Sequence, residues 1–263
     1  MIGTIRLFWA ATVILAASAT LAPLQWLAMK TRLAPEPWFR TAWHRAVLKA
    51  LGIRVHRLGE LSDRRPLLVA SNHVSWTDIG VIGSQVDVSF VAKAEVSRWP
   101  LVGQMARLQR TIFVEREARR KSGEQAGEIG RRLAAGDAVL LFPEGTTADG
   151  NMPIAFKSTL FGAASAAMAG GAGDRVYIQP LAIAYTRIHG LPLGRQHRPI
   201  ASWIGSDGLV PHFTQLAKEG AIDVELHFGE PVEFVVDGDR KRLTREVEAR
   251  VKALMQASLG DPR

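Results

Sequence analysis

The chain of 263 residues contains no cysteine. This absence excludes a disulfide framework, a thiolate nucleophile and a zinc site built on cysteine. The sequence also lacks the G-x-S-x-G pattern that presents a nucleophilic serine. If the chain is an enzyme, its simplest chemistry is therefore direct, with a side chain acting on the substrate and no covalent enzyme intermediate.

Charged residues are absent from a long N-terminal run, Leu7–Met29. A helix of that length can cross a bilayer, for which about 20 apolar residues suffice. Trp9 and Trp26 lie near its ends, where amphipathic rings favour the membrane interface. Three interpretations are open: a signal peptide cleaved after residues 17–19, a single membrane span, or a helix that enters one leaflet and kinks at Pro23. The apolar run continues well past residues 17–19, which argues against cleavage.

A second, amphipathic helix is predicted from about Pro37 to Leu51. Apolar positions recur about one helical turn apart, at Trp38, Phe39, Trp43, Val47 and Leu51. The other face is predicted to carry Arg40, His44, Arg45 and Lys49. Such a basic helix suits an anionic membrane surface, although a helix packed on a globular domain can show the same pattern. The basic flank follows the apolar run, so we expect an inner-membrane protein whose main domain faces the cytoplasm.

Beyond Arg54, apolar runs of strand length alternate with helical stretches. Strands are predicted at Pro66–Ala70, Val88–Ala92, Thr111–Val114, Ala138–Phe142, Val176–Ala184 and Asp223–Phe228. Helices are predicted at Ser122–Ala135, Thr159–Met168 and Arg240–Ser258. This alternation is typical of an α/β fold with a mixed β-sheet flanked by helices. We expect membrane-associating helices in residues 1–54 and the α/β domain in residues 55–263.

A polar cluster, Ser71–Asp78, follows the first predicted strand of this domain. Strand ends are where α/β proteins usually bind ligands. Four residues separate His73 from Asp78, so a helical turn lets the carboxylate reach one imidazole nitrogen and leaves the other free to accept a proton. The pair can then act as a general base that deprotonates a substrate hydroxyl for attack on an acyl carbonyl. The alternative is a structural pair that caps a helix, which a lone His-x4-Asp pattern favours.

A second motif, Phe142–Thr147, also follows a predicted strand. Pro143 ends the strand, and Gly145 allows a tight turn with close backbone approach. Backbone N–H groups in such a turn can hold an anion or an oxyanion, and Glu144 can bind acceptor hydroxyls. An ordinary strand-to-loop turn is the alternative.

Two further segments carry weaker signals. Arg116 follows the predicted strand Thr111–Val114 and is well placed to meet an anionic head group. The apolar segment Val176–Leu181 contains a proline and can line an acyl groove, or serve only as a core or edge strand.

Taken in order, four blocks resemble those of the glycerolipid acyltransferase family, which includes the 1-acylglycerol-3-phosphate acyltransferases. The family is marked by N-H-x4-D, F-x-x-R, F-P-E-G-T and an apolar block with proline. The matching segments here are Asn72–Asp78, Phe113–Arg116, Phe142–Thr146 and Ile178–Leu181, with further similarity at Phe90–Lys93 and Phe156–Lys157. Any one block is weak, whereas all of them in order are specific.

The resemblance implies roles for individual residues. His73 is the base and Asp78 orients it. The acceptor is bound by Arg116, Glu144, Gly145 and Thr146, with Lys93 added to the substrate-binding set. The implied reaction moves a fatty acyl group from an acyl carrier protein or coenzyme A thioester to the hydroxyl of a lysolipid, with 1-acylglycerol-3-phosphate as the family default and phosphatidate as its product. It also implies no metal, no cofactor and no acyl-enzyme intermediate.

One departure from the family pattern concerns the acceptor. Many phosphatidate-forming members continue F-P-E-G-T with arginine, whereas this chain has Thr147. A guanidinium is the preferred partner of a phosphate. The stretch Tyr185–Arg195 also resembles the lyso-ornithine lipid acyltransferases, a branch whose acceptor has a zwitterionic amino-acid head without phosphate. Ornithine lipid synthesis is therefore the alternative function, and His197 and Arg198 are further candidates for head-group contact.

Other functional classes fit the sequence less well. The Phe142–Thr146 block argues against a lipid A-type acyltransferase, which shares the His-x4-Asp chemistry. An intact His73 and Asp78 argue against a non-catalytic membrane-binding scaffold. The net charge of +8 suits nucleic acid, anionic lipid or an anionic substrate. The basic residues are scattered and not interleaved with aromatics, so membrane lipids are the expected partner and nucleic acid is not.

Overall fold

The computed structural model describes residues 1–31, 33–114, 122–170, 173–204 and 208–260. The α-helices are α1 Ile2–Thr31, α2 Glu36–Leu51, α3 Thr77–Gly83, α4 Val102–Leu108, α5 Ser122–Ala134, α6 Gly162–Ala169, α7 Leu209–Glu219 and α8 Arg240–Gly260. The strands are β1 Ile53–Leu58, β2 Leu67–Ser71, β3 Ser89–Lys93, β4 Ile112–Val114, β5 Ala138–Leu141, β6 Arg175–Ile188, β7 Leu191–Pro192, β8 Ile222–Phe228 and β9 Val232–Val235.

The strands form one mixed sheet in the order β1-β8-β6-β2-β5-β3-β4. Strands β6, β2, β5, β3 and β4 are mutually parallel, and β8 pairs antiparallel with β6. Strand β1 pairs parallel with β8, while β7 and β9 pair antiparallel with β6. The predicted α/β class with a mixed sheet is therefore confirmed.

Apolar clusters cover both faces of the sheet. One cluster joins the sheet to α1, α2, α3 and α7, and the other joins it to α5, α6 and α8. All residues of β2 are buried, which explains why this strand is a continuous apolar run rather than an alternating one. The central strands are thus held rigidly between two helical layers, and their C-terminal ends can position a site.

The N-terminal helix α1 runs without interruption through Pro23. It packs against α2 and α7, and Trp43 Nε1 donates a hydrogen bond to Ser18 Oγ at 2.9 Å. By length and composition α1 can cross a membrane. Large apolar side chains are exposed along it, at Ile2, Ile5, Phe8, Trp9, Leu15, Leu24, Trp26 and Leu27. This exposed apolar face indicates membrane association.

The basic face predicted for α2 is wrong at two positions. Arg40 and His44 are buried, because His44 packs against Gly80 and Gly83 of α3 and Arg40 reaches the carbonyl of Gln109. Arg40 forms an ion pair with Asp87 at 2.8 Å. Burial lowers the pKa of His44 to about 4, so this imidazole is neutral. Only Arg45 and Lys49 of the predicted basic residues are exposed.

The predicted strands and helices are all present in the described residues, with small shifts in their bounds. The largest difference is β6, which extends to Ile188 because β8 continues to pair with it beyond the end of β2. The sequence prediction missed β1, in which arginine and histidine alternate with apolar residues at the sheet edge. It also missed α3, α4 and α7, which are short. The predicted domain boundary after residue 54 stays a prediction.

Candidate active site

Two adjacent parallel strands bring the main motifs together. Strand β2 pairs with β5 so that Ala70 lies opposite Leu141. Parallel strands end at the same edge of a sheet, so the segments that follow, starting at Asn72 and Phe142, are neighbours. The backbone N–H of Ala148 donates to the carbonyl of His73 at 2.8 Å, which ties the two loops to each other.

Asp78 lies in the first turn of α3, completely buried, and its carboxylate faces back toward the loop. Its Oδ2 contacts His73 Nδ1 at 2.8 Å and accepts the backbone N–H groups of Val74 at 2.7 Å and Ser75 at 3.0 Å. With a carboxylate as partner, Nδ1 carries the proton and Nε2 carries the lone pair. The geometry therefore presents a histidine that can accept a proton at Nε2.

Tyr185 on β6 holds the other oxygen of this carboxylate. Its hydroxyl donates to Asp78 Oδ1 at 2.7 Å and lies 2.5 Å from Thr77 Oγ1. Burial and the Asp78 charge raise the pKa of Tyr185 well above its usual value, so the phenol remains a donor. Asp78 thus accepts hydrogen bonds from four groups, which fix its position.

Asn72 ties the loop to strand β6 through its side chain. Its side-chain amide donates to the carbonyl of Ile183 at 2.9 Å and its oxygen accepts the Ile183 N–H at 2.8 Å. This exchange extends the pairing of β2 with β6 by one side chain. The backbone entering His73 is consequently fixed to the central strand.

The His73 ring stacks on Phe142 with centroids 4.0 Å apart and planes 15° from parallel. One edge of the ring is held by Asp78 and one face by Phe142, while 19% of the side chain remains exposed. The imidazole is therefore oriented but still reachable by a substrate.

Glu144 lies next to His73 in the turn after β5. Its Oε1 accepts the His73 N–H at 3.4 Å, and its Oε2 is buried with no hydrogen-bond partner among the described residues. Burial raises the pKa of Glu144 to about 8, so the group is a neutral acid at neutral pH. Gly145 follows with φ +77°, a conformation that favours glycine. A protonated Glu144 can donate a hydrogen bond to an oxygen of the substrate.

The segment after β7 closes one side of this region. Trp203 donates its backbone N–H to the carbonyl of Val74 at 2.9 Å, and its own carbonyl accepts the hydroxyl of Thr147. Asn151 Nδ2 donates to the carbonyl of Arg195 at 3.2 Å, and Arg198 Nη1 donates to Asn151 Oδ1 at 3.0 Å. Residues 194–203 therefore pack against both motif loops.

Thr146, Lys93 and Arg116 are the remaining predicted site residues. Thr146 is exposed in the turn beside Glu144. Lys93 is exposed at the end of β3, opposite Val114 in the pairing of β3 with β4. Arg116 lies outside the described residues. The structure thus joins His73, Asp78 and Glu144 directly and leaves Lys93 at the rim.

Sequence reasoning missed Tyr185 as part of this arrangement. The chain has only two tyrosines, and this one directly follows the predicted strand Val176–Ala184. A buried phenol needs a hydrogen-bond partner, so a tyrosine at this position could have predicted a polar contact of its hydroxyl. Its actual partner, Asp78, is 107 residues away in the chain.

Comparisons with known proteins identify the family of this chain. The model of the family described as Acyltransferase matches residues 52–184. The lyso-ornithine lipid O-acyltransferase of Brucella abortus is 48% identical over 98% of this chain and 97% of its own length. That of Rhizobium meliloti is 47% identical over 98% of this chain and 89% of its own length.

A solved structure supports the fold. The crystal structure of PlsC, the 1-acyl-sn-glycerophosphate acyltransferase from Thermotoga maritima, superposes with a TM-score of 0.68 at 22% identity, over 99% of this chain and 96% of that one. At this identity the likeness supports the architecture alone. The family model and the full-length relatives show that this chain belongs to the acyltransferase family.

Proposed function

We propose that this protein transfers a fatty acyl group from an acyl carrier protein or coenzyme A thioester to the free hydroxyl of lyso-ornithine lipid. The observation that carries the chemistry is the His73–Asp78 pair, with Nδ1 and Oδ2 2.8 Å apart and Nε2 left to accept a proton. The similarity of almost the whole chain to two lyso-ornithine lipid O-acyltransferases supports the choice of acceptor.

In the proposed mechanism, His73 Nε2 takes the proton of the acceptor hydroxyl as its oxygen attacks the thioester carbonyl. Asp78 stabilises the imidazolium that forms. The tetrahedral intermediate collapses to the ester, the carbon–sulfur bond breaks, and His73 returns its proton to the thiolate. The reaction needs no enzyme nucleophile, in keeping with a chain that has no cysteine.

The turn after β5 supplies the proposed binding groups. We assign Glu144, Gly145 and Thr146 to the acceptor and the developing oxyanion, where a neutral acid and backbone N–H groups can donate hydrogen bonds. Arg116 and Lys93 are assigned to anionic groups of the substrates. These roles rest on the family motifs and on the position of Glu144 beside His73.

A hydrogen-bonded cluster next to this turn supports a zwitterionic head group. Asn151 bridges two opposite charges: its Nδ2 donates to Asp149 Oδ2 at 3.0 Å, and its Oδ1 accepts Arg198 Nη1 at 3.0 Å. Arg198 Nε is buried without a hydrogen-bond partner among the described residues. With Asn151 between them, the Arg198 guanidinium suits the carboxylate of an amino-acid head and the Asp149 carboxylate suits its ammonium.

Lysophosphatidate is the second candidate acceptor. The ordered family blocks, among them Phe113–Arg116, favour it because an arginine suits a phosphate. Thr147 counts against it, since its hydroxyl is bound to the Trp203 carbonyl and cannot replace a guanidinium.

We further propose that residues 1–54 form the membrane-associating unit and that the catalytic domain faces the cytoplasm from the inner membrane. The apolar helix α1 with its exposed face supports the first point. The basic residues that follow the apolar run support the second.

The test is acyl transfer by the purified protein in detergent, with labelled acyl carrier protein thioester and both lysolipids offered together. We expect acylated lyso-ornithine lipid as the main product. Arg198→Gln should raise the KM for lyso-ornithine lipid about 10-fold, while Arg242→Gln, at an exposed arginine near the start of α8, should leave it nearly unchanged. Product from lysophosphatidate alone would reject the proposed acceptor.

A further inference from the structure

A cationic cavity lies apart from His73, between the start of α1, the end of α2 and the start of β1. Its volume is about 470 Å³. Among the residues that the structure describes, four cationic side chains and no carboxylate line it. The lining residues are Arg6, Arg45, Leu48, Lys49, Gly52, Ile53, Arg54, Val55, Ser84, Gln85 and Ala221. Such a concave, positively charged surface attracts anions.

Arg6 is held in this cavity by close packing. Its guanidinium lies against Gly52 and Gly220, with φ of +72° and +60°. A Cβ at Gly52 would approach Arg6 Nη2 to 2.9 Å, and one at Gly220 would collide with it. Arg6 Nε is buried and has no hydrogen-bond partner among the described residues. The two glycines therefore leave space for the Arg6 guanidinium, whose Nε–H has no acceptor among the described residues.

The other cations are only partly neutralised. Arg54 pairs with Asp223, its Nε 2.9 Å from Oδ1. Arg45 donates from Nε to the carbonyl of Ser84 at 3.0 Å, which leaves the two terminal nitrogens of its guanidinium for a ligand. Within the described part of the chain, neither Arg45 nor Lys49 forms an ion pair. An excess of positive charge thus remains at the cavity.

The cavity adjoins the apolar outer face of α1. Ile2 and Trp9 lie about one helical turn before and after Arg6 on the same side of this helix, and they are 76% and 63% exposed. A ligand with an anionic head and an apolar tail could place its head among the cations and its tail along this face.

We propose that this cavity binds the phosphate of an anionic membrane phospholipid whose acyl chains lie along the N-terminal half of α1. A membrane lipid explains both the cations and the neighbouring apolar surface. An acidic protein, or a free anion, would use only the charges. The site is separate from the proposed acceptor site at Asn151 and Arg198, and its function would be to hold the enzyme at an anionic part of the membrane.

The test uses the full chain in dodecyl maltoside micelles, titrated with phosphatidylglycerol, and reads binding by calorimetry. The pocket variant is Arg45→Gln with Lys49→Gln; both side chains are exposed, so the fold should tolerate the change. The matched control is Arg245→Gln with Lys252→Gln, exposed positions on α8 at the other face of the sheet. We expect the pocket variant to bind at least about 10-fold more weakly, and the control to change less than about 3-fold, since distant charges are screened.

Acyl transfer in neutral micelles should be equal in both variants. Lipid binding is measured without turnover, so the binding result does not depend on the proposed acceptor. Equal weakening in both variants would overturn the proposal, as would equally tight binding of phosphatidylcholine. Inorganic phosphate binding as tightly as the lipid would make this a site for a free anion. Loss of acyl carrier protein binding in the pocket variant, with lipid binding intact, would assign the cavity to that protein instead.

Discussion

Replacing Asp78 by asparagine tests the proposed base with little change of shape. The carboxylate accepts the His73 ring N–H, two backbone N–H groups and the Tyr185 hydroxyl. An amide of the same size places an NH2 group against one set of these donors. It also removes the charge that stabilises the imidazolium and favours the wrong histidine tautomer. In a His–carboxylate pair of this kind, such a change lowers kcat about 10⁴-fold.

The expected loss of stability is smaller than the loss of rate. Leaving a buried donor without its acceptor costs about 1–3 kcal/mol, so Asp78→Asn should remain folded. The assay is kcat for acyl transfer at saturating lysolipid, with thermal unfolding measured in parallel. We expect kcat to fall about 10³–10⁴-fold with KM little changed, because the pair acts in the transition state.

A second His–Asp pair, between the half-exposed His56 and a buried carboxylate, provides the control. Asp223 is buried, and its Oδ1 lies 2.9 Å from His56 Nε2. Asp223→Asn should lower the unfolding temperature but leave kcat within about 3-fold, because the pair lies outside the proposed site. Similar losses of kcat in both variants, or an Asp78→Asn enzyme with near-normal kcat, would refute the reasoning.

Three further predictions concern the groups around this pair. Tyr185→Phe removes one donor to Asp78 and should lower kcat about 10-fold with KM unchanged; an unchanged pH–rate profile would leave Tyr185 a structural role only. Burial raises the pKa of Glu144 from 4.5 to about 8. The neutral form of Glu144 therefore contributes its full stabilisation below pH 4.5. As the pH rises from there to about 8, that contribution falls by about 1.4 kcal/mol per pH unit. Glu144→Gln should therefore gain stability relative to the parent between pH 5 and 8, and a pH-independent difference in denaturant midpoint would contradict this. Thr147→Arg should raise kcat/KM for lysophosphatidate relative to lyso-ornithine lipid, measured in competition.

Much of the site could be predicted because its parts are local in the chain. His73 and Asp78 share one loop and the first turn of α3, so their spacing alone predicts contact. The turn after β5 was predicted from Pro143 and Gly145, whose backbone preferences do not depend on distant residues. That the two loops meet is a finding of the structure, because their strands β2 and β5 pair in parallel.

What could not be predicted depends on contacts between distant segments. Tyr185 reaches Asp78 only because β6 lies next to β2. Arg40 and His44 are buried although their sequence pattern suggested a solvated basic face, since α2 packs against both α1 and α3. The cationic cavity combines Arg6 with Arg45 and Arg54, and no local pattern brings those elements together.

The helical layer also shows the limit of periodicity. In α2, Val47 and Leu51 are buried as expected, whereas Trp38 on the same predicted stripe is 68% exposed. The exposed tryptophan follows α1 closely in the chain, and an exposed indole of this kind favours the membrane interface. An amphipathic pattern alone does not distinguish a side chain that faces the core from one that faces lipid.

The central claim is that His73 is the general base of lysolipid acylation. Its most direct test is acyl transfer from labelled acyl carrier protein thioester to lyso-ornithine lipid by the parent protein and by His73→Ala, both purified in detergent and matched for unfolding temperature. The account predicts product from the parent protein and a rate about 10²–10⁴-fold lower from the variant. A His73→Ala enzyme that forms product at the parental rate would contradict it.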